Sequence, residues 1–134
     1  MDMQISNIWI ASGVILGFQV TWFTWRISRE VKMEKVGETT WLPCADWMNL
    51  ISMVFLVVGV FVLPVLGIVQ FAEYALGLAL ILLVGYPFAL AGHYELYKSQ
   101  GHPRPRFPYQ EKVPIIVAAI IAILYSVYYF CWVF

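Results

Sequence analysis

Charge is what this chain has least of. Asp, Glu, Lys and Arg make up 12% of its 134 residues, against about a quarter in an ordinary soluble domain. Hydrophobic residues make up 62%, and a water-soluble core of this size cannot hide that much apolar surface. The solvent that fits is a bilayer. Eight Lys/Arg balance eight Asp/Glu, so net charge gives no reason to expect a nucleic-acid partner. A secretory signal is missing too: Met1 to Asn7 carries no Lys or Arg, and no small-x-small cleavage site follows the apolar run. The first hydrophobic segment is therefore expected to be a retained membrane helix, and neither end shows a lipidation motif.

What remains is four long apolar runs, about 7–27, 47–69, 71–93 and 113–133. At ~1.5 Å rise per residue each is long enough for a ~30 Å hydrocarbon layer. They predict an all-α fold, an antiparallel four-helix transmembrane bundle, with residues 1–134 as one integral membrane domain. The first run carries a Gly13–Gly17 pair continued by Thr21, Thr24 and Ser28, a small-residue face suited to close helix packing. Ser12, Gln19 and Arg26 form a second line roughly opposite. Gln19 lies at mid-depth, where an amide needs a partner on another helix or a place in a transport path. The second run sets Asn49, Ser52, Gly59 and Gly67 on one face, with Asp46 expected as its N-cap and Pro64 expected to kink it. In the third, Gly77, Gly85, Ala89 and Gly92 form another small stripe, and Pro87 predicts a bend. The fourth has Ala118, Ala122 and Ser126 in line, Pro114 expected in its first turn, and Tyr125, Tyr128, Tyr129 and Trp132 at one interface. The packing residues predicted are Gly13, Gly17, Gly59, Gly77, Gly85, Ala118 and Ala122.

Every cation lies at the end of run one, between runs one and two or between runs three and four. By the positive-inside rule, loops 28–46 and 94–112 are expected in the cytoplasm, with both termini outside. A prokaryotic cytoplasmic membrane fits this distribution. The two halves share a plan: Pro43-Cys-Ala-Asp46 and Pro108-Tyr-Gln-Glu111 each open a run with an acid in its first turns, as an old duplication or a shared answer to the helix dipole would.

Metal motifs are absent from the sequence. His93 and Glu95 on a helix point ~200° apart, poor geometry for one ion even with His102 nearby. No metal or other cofactor is predicted on these grounds, and haem would need a buried histidine. Cys44 and Cys131 fall at opposite faces, too far apart for a disulfide, and are expected to be packed. With no Asp, Glu, Lys or His at mid-span, a proton-coupled carrier is disfavoured. The second loop gathers His93, Tyr94, Tyr97, His102, Arg104, Arg106 and Tyr109, with Lys98 and Lys112. Forked arginines beside tyrosines suit an anionic ligand, although basic loops also serve topology and touch anionic lipid.

The four runs, outward termini and the segment GYPFALAGHYELYKSQGHPRPRF resemble the membrane-associated eicosanoid and glutathione (MAPEG) family. That resemblance implies a trimer, with a cytoplasm-side pocket between subunits for glutathione and an apolar substrate. Around Asn49 the family's Arg-x3-Asn-x2-Glu departs, with Ala45 and Ser52 in place of the arginine and glutamate. The leading expectation is a structural or accessory membrane subunit, or a homo-oligomer, without chemistry inside its spans. A MAPEG-like oligomer binding an amphipathic anion at the cytoplasmic interface and a passive oligomeric channel are the alternatives. The partners expected are the lipid bilayer and other membrane subunits or further copies of the chain.

Overall fold

The computed structural model describes residues 5–35, 42–94 and 109–132. These residues form four helices and, among themselves, no strand. Helix α1 is Ile5–Lys35. Helix α2 occupies Cys44–Val65, built as α-helix Cys44–Val54, π-helix Phe55–Val62 and a last α-turn Leu63–Val65. Helix α3 is Ala72–His93 and α4 is Tyr109–Trp132. All four are long and apolar enough to cross a membrane.

The boundaries differ from the sequence expectation in instructive places. Helix α1 runs past residue 27 to Lys35, and Arg26 and Glu30 pair one turn apart on the added stretch. Helix α2 starts three residues early, with Pro43 as its N-cap residue. Asp46 is therefore not the cap: it sits in the first turn, its own N–H bonded to the Pro43 carbonyl at 3.1 Å. At the other end α2 stops at Val65, because Gly67 takes a φ of 86°. Ile68 N–H then bonds to Leu63 O at 2.9 Å and Gly67 N–H to Pro64 O at 3.0 Å, the paired bonds of a Schellman cap. Gly67 thus lies in an exposed turn and not on the buried face of α2. Helix α4 begins four residues earlier than expected, which leaves Pro114 inside it.

The prolines explain two of the helix contacts. Pro64 has no N–H and its ring crowds the carbonyl four residues back, which is Val60. The turns before Pro64 widen into π geometry, and the Val60 carbonyl accepts the indole N–H of Trp9 from α1 at 2.9 Å. Pro114 likewise leaves the Gln110 carbonyl without its helical donor. A Cβ on Gly92 would run into that carbonyl, so α3 and α4 meet backbone to backbone there.

Helix α3 sits in the middle, packed along both α2 and α4, while α1 joins the edge formed by α2 and α3. Two apolar clusters fill the bundle. One joins Ile8 to Leu56, Val60, Ala72, Ala75, Leu76 and Ala79; the other gathers Ala45, Met48, Tyr86, Ala89, Leu90 and Ala118. Gly59 is in direct contact with Ala75, so a Cβ there would overlap that of Ala75. Gly85 is held between Met48 and Ala118, 2.8 and 2.9 Å from where its own Cβ would lie, and Gly77 lies under the Tyr125 ring. Ala122 is half-buried. A Cβ on Gly13 or Gly17 would meet nothing among the described residues. Helix α1 instead buries the opposite line, Ile8, Ser12, Gln19 and Arg26.

Candidate functional site

The polar side chains of the bundle collect where α2 and α4 begin, α3 ends and α1 leaves its apolar stretch. The Gly92–Gln110 crossing sets the geometry, because it makes the next residues, His93 and Glu111, neighbours. The Glu111 carboxylate is fully buried. One of its oxygens lies 2.9 Å from His93 Nδ1, and the other accepts the Ala45 N–H at 2.7 Å. Pro43 gives α2 no side-chain cap. Glu111, reaching across from α4, supplies the negative charge and acceptor that a helix N-terminus favours.

Arg26 does the equivalent work for α1. Its side chain is 1% exposed, although by sequence it is one of eight loop-side cations. Nη1 is paired with Glu30 one turn on, and Nε lies 3.8 Å from Asp46 Oδ2. The other Asp46 oxygen accepts the Tyr86 hydroxyl at 2.8 Å. Tyr94 donates to Glu30 Oε1 at 2.9 Å, and its ring faces the Arg26 and Arg29 guanidinium groups, 4.9 and 4.2 Å from the ring centre. Burial pushes the Tyr94 hydroxyl well above the ordinary phenol value. The nearby Arg26 charge opposes that rise, and donation to Glu30 adds to it. The phenol therefore stays protonated, as a donor, through neutral pH.

One tier deeper, Gln19 finds the interhelical partner its position demands. Its amide donates to Ser52 Oγ at 2.6 Å, and that hydroxyl donates on to the Ala79 carbonyl at 2.7 Å, so one short chain of bonds crosses α1, α2 and α3. Asn49 Nδ2 bonds to the Gln19 carbonyl at 3.4 Å. Six buried polar atoms have no hydrogen-bond partner among the described residues: Ser12 Oγ, Gln19 Oε1, Arg26 Nε and Nη2, Asp46 Oδ2 and Asn49 Oδ1. Each such atom costs about 1–3 kcal/mol if it stays unpaired.

Of the ligand-site residues predicted from sequence, three are described. His93 and Tyr94 belong to the buried cluster, engaged with Glu111 and Glu30. Tyr109 is 74% exposed on the first turn of α4. Tyr97, His102, Arg104 and Arg106 lie outside the described residues, as do Glu95 and Lys98. Among the described residues no three His, Cys, Asp or Glu side chains converge as metal ligands. Cys44 and Cys131 are both exposed, so the expectation that they are packed does not hold within one chain.

Sequence reasoning missed Asp46, Tyr86 and Glu111 as partners, and with them the burial of Arg26. It had the signals: an acid in the opening turns of both α2 and α4, read there as dipole complements, and a tyrosine beside a helix proline in Gly85-Tyr86-Pro87. Helices α3 and α4 also form an apolar groove of about 580 Å3, lined by Leu80, Val84, Phe88, Val113, Val117 and Ile121. Compared with family models, curated proteins and solved structures, the chain matches none.

Proposed function

We propose that the chain is an antiparallel four-helix integral membrane protein with loops 28–46 and 94–112 on the cytoplasmic side, acting as a structural or accessory subunit. Its partners are further copies of itself or other membrane subunits. The observation that carries this reading is the division of α1 into two faces. The polar line Ser12–Gln19–Arg26 turns inward and is spent on holding the bundle. Among the described residues none packs on Gly13 or Gly17, and the hydroxyls of that face are turned back on their own helix: Thr21 to Gly17 O, Thr24 to Val20 O and Ser28 to Thr24 O, all at 2.8–2.9 Å. A small, smooth, internally satisfied face is the surface that brings membrane helices together.

The neighbouring polar cluster supports the same reading. Glu111 ties α4 to α2 and α3, while Arg26 and Glu30 tie α1 to α2 and α3, so each charged group serves cohesion of the helix ends. The sequence of contacts supports the antiparallel order, since Asp46, Ser52 and Gly59 on α2 meet Tyr86, Ala79 and Ala75 on α3. Extraction of the tagged chain from its native membrane within a disc of surrounding lipid tests the proposal. Stoichiometric association with a second copy or another polypeptide is expected; the 15.4 kDa chain alone in its lipid refutes it.

A further inference from the structure

The unpartnered polar atoms are not scattered. Five of the six lie on one seam, where Gln19 and Arg26 of α1 face Asp46 and Asn49 of α2. All four side chains are at most 1% exposed. Their unpaired groups are of both kinds. Arg26 Nε and Nη2 are donors, and Gln19 Oε1, Asn49 Oδ1 and Asp46 Oδ2 are acceptors. In a hydrocarbon surround such groups find no passing solvent, and buried polar atoms of mixed donor and acceptor type are what internal water satisfies. Arg26 Nε and Asp46 Oδ2 stand 3.8 Å apart, too far for a direct hydrogen bond.

The seam has a polar end and an apolar one. At the loop end Glu30, whose side chain is 24% exposed, follows Arg26. At the other end Gln19 and Ser52 are followed by Leu56 and Val60, fully buried, with Ile15, Leu16 and Phe55 packed against them. Those side chains offer water nothing to bond. Ser12, the sixth orphan, lies beyond them.

We propose that the α1–α2 seam holds a file of water molecules that enters beside Glu30, passes Arg26 and Asp46, and ends at Gln19 and Ser52. The file gives Asp46 a proton route from the loop end. A hydronium ion arriving along it transfers its proton to Asp46 Oδ2, leaving a neutral carboxyl and a water molecule. The charges and titratable groups around Asp46 are Arg26 and Glu30 on α1, Tyr86 and His93 on α3 and Glu111 on α4. Arg26 thus stands between two carboxylates, and a proton on Asp46 leaves it paired with Glu30. Half of a transmembrane proton path is present; the apolar stretch from Ile15 to Val60 closes the other half.

Solid-state NMR of the whole chain in lipid bilayers tests this, because Asn49 and Asn7 are the only asparagines and Asp46 and Asp2 the only aspartates. Magnetisation transfer from water to the side-chain amides of Asn49 and Gln19 is expected at a rate close to that of the exposed Gln70, and several-fold above that of the core residue Ala75. A Gln19→Leu variant should lower transfer to Asn49 several-fold and leave Gln70 unchanged. The Asp46 carboxyl signal should move when bulk pH is stepped. Transfer to Asn49 and Gln19 as slow as to Ala75, or an Asp46 signal that ignores bulk pH, overturns the proposal. Should Gln19→Leu fail to insert, the wild-type rates alone decide.

Discussion

Glu111 is the residue on which most of the loop-end geometry turns. Its two oxygens serve two helices, so the size of the substitution matters. Alanine removes the acceptor of the Ala45 N–H and the Glu111 partner of His93 Nδ1 in a buried site, and an orphaned buried donor such as the Ala45 N–H costs about 1–3 kcal/mol. Glutamine keeps an acceptor for the Ala45 N–H and should lose only about half of that. Denaturant unfolding in detergent, followed by helical circular dichroism, reads both variants; equal loss in the two would mean that the carboxylate charge, not the cap, carries the effect. Tyr86 and Asp46 show how far single residues were legible beforehand. An acid in the first turn of a membrane helix is visible in sequence, and so is a tyrosine in an apolar run. Which of them meet depends on the rotation of α2 against α3, and that is fixed by the Gly59–Ala75 contact a long way along the bundle. Gln19 needed less, because an amide at mid-depth has few alternatives to a neighbouring helix.

At the scale of elements, small residues divide into two kinds that look alike in sequence. Gly92 and Gly59 sit where another backbone or a rigid Cβ is already present, so a methyl group must force helices apart. Alanine at either should destabilise the fold by about 1–3 kcal/mol, measured by the same unfolding transition. Within one chain Gly13→Ala adds its methyl group to open space, so in detergent that separates the chains it should leave that transition unmoved or slightly raised, since alanine is the better helix former. With the chains separated, a Gly13→Ala loss as large as that of Gly92→Ala would mean that α1 packs on its own bundle by the Gly13–Gly17 face. Spacing alone could not tell these glycines apart: Gly-x3-Gly marks a surface that can be approached closely, and gives no information on whether the approaching helix belongs to the same chain. The prolines were half legible. Pro64 was read as a kink; the structure places π-helical turns ahead of it and gives the freed Val60 carbonyl to Trp9. Pro114 was placed a turn too early because α4 begins at Tyr109, before the apolar run does.

At the scale of the molecule, two exposed thiols lie at opposite ends of the bundle, Cys44 where α2 begins and Cys131 where α4 ends. With the proposed orientation, a membrane-impermeant maleimide should label Cys131 in intact cells and reach Cys44 only after the membrane is opened. The reverse order would invert the protein. The four spans were the most legible feature of the sequence, because composition and run length settle them with no knowledge of packing. Least legible was the division of labour among the cations: Arg26 is a structural cation buried beside Asp46, and only its place on the Ser12–Gln19 line separates it from Arg29, which is exposed. The central claim is that the cluster closes the bundle from within while α1 presents Gly13 and Gly17 outward to a neighbour. The most direct measurement is the mass of the particle carrying Gly13→Leu and Gly17→Leu beside that of the unaltered chain, both extracted in native lipid. The expected result is a multi-chain particle for the unaltered protein and a single folded chain for the variant; a particle of the same mass for both contradicts the claim.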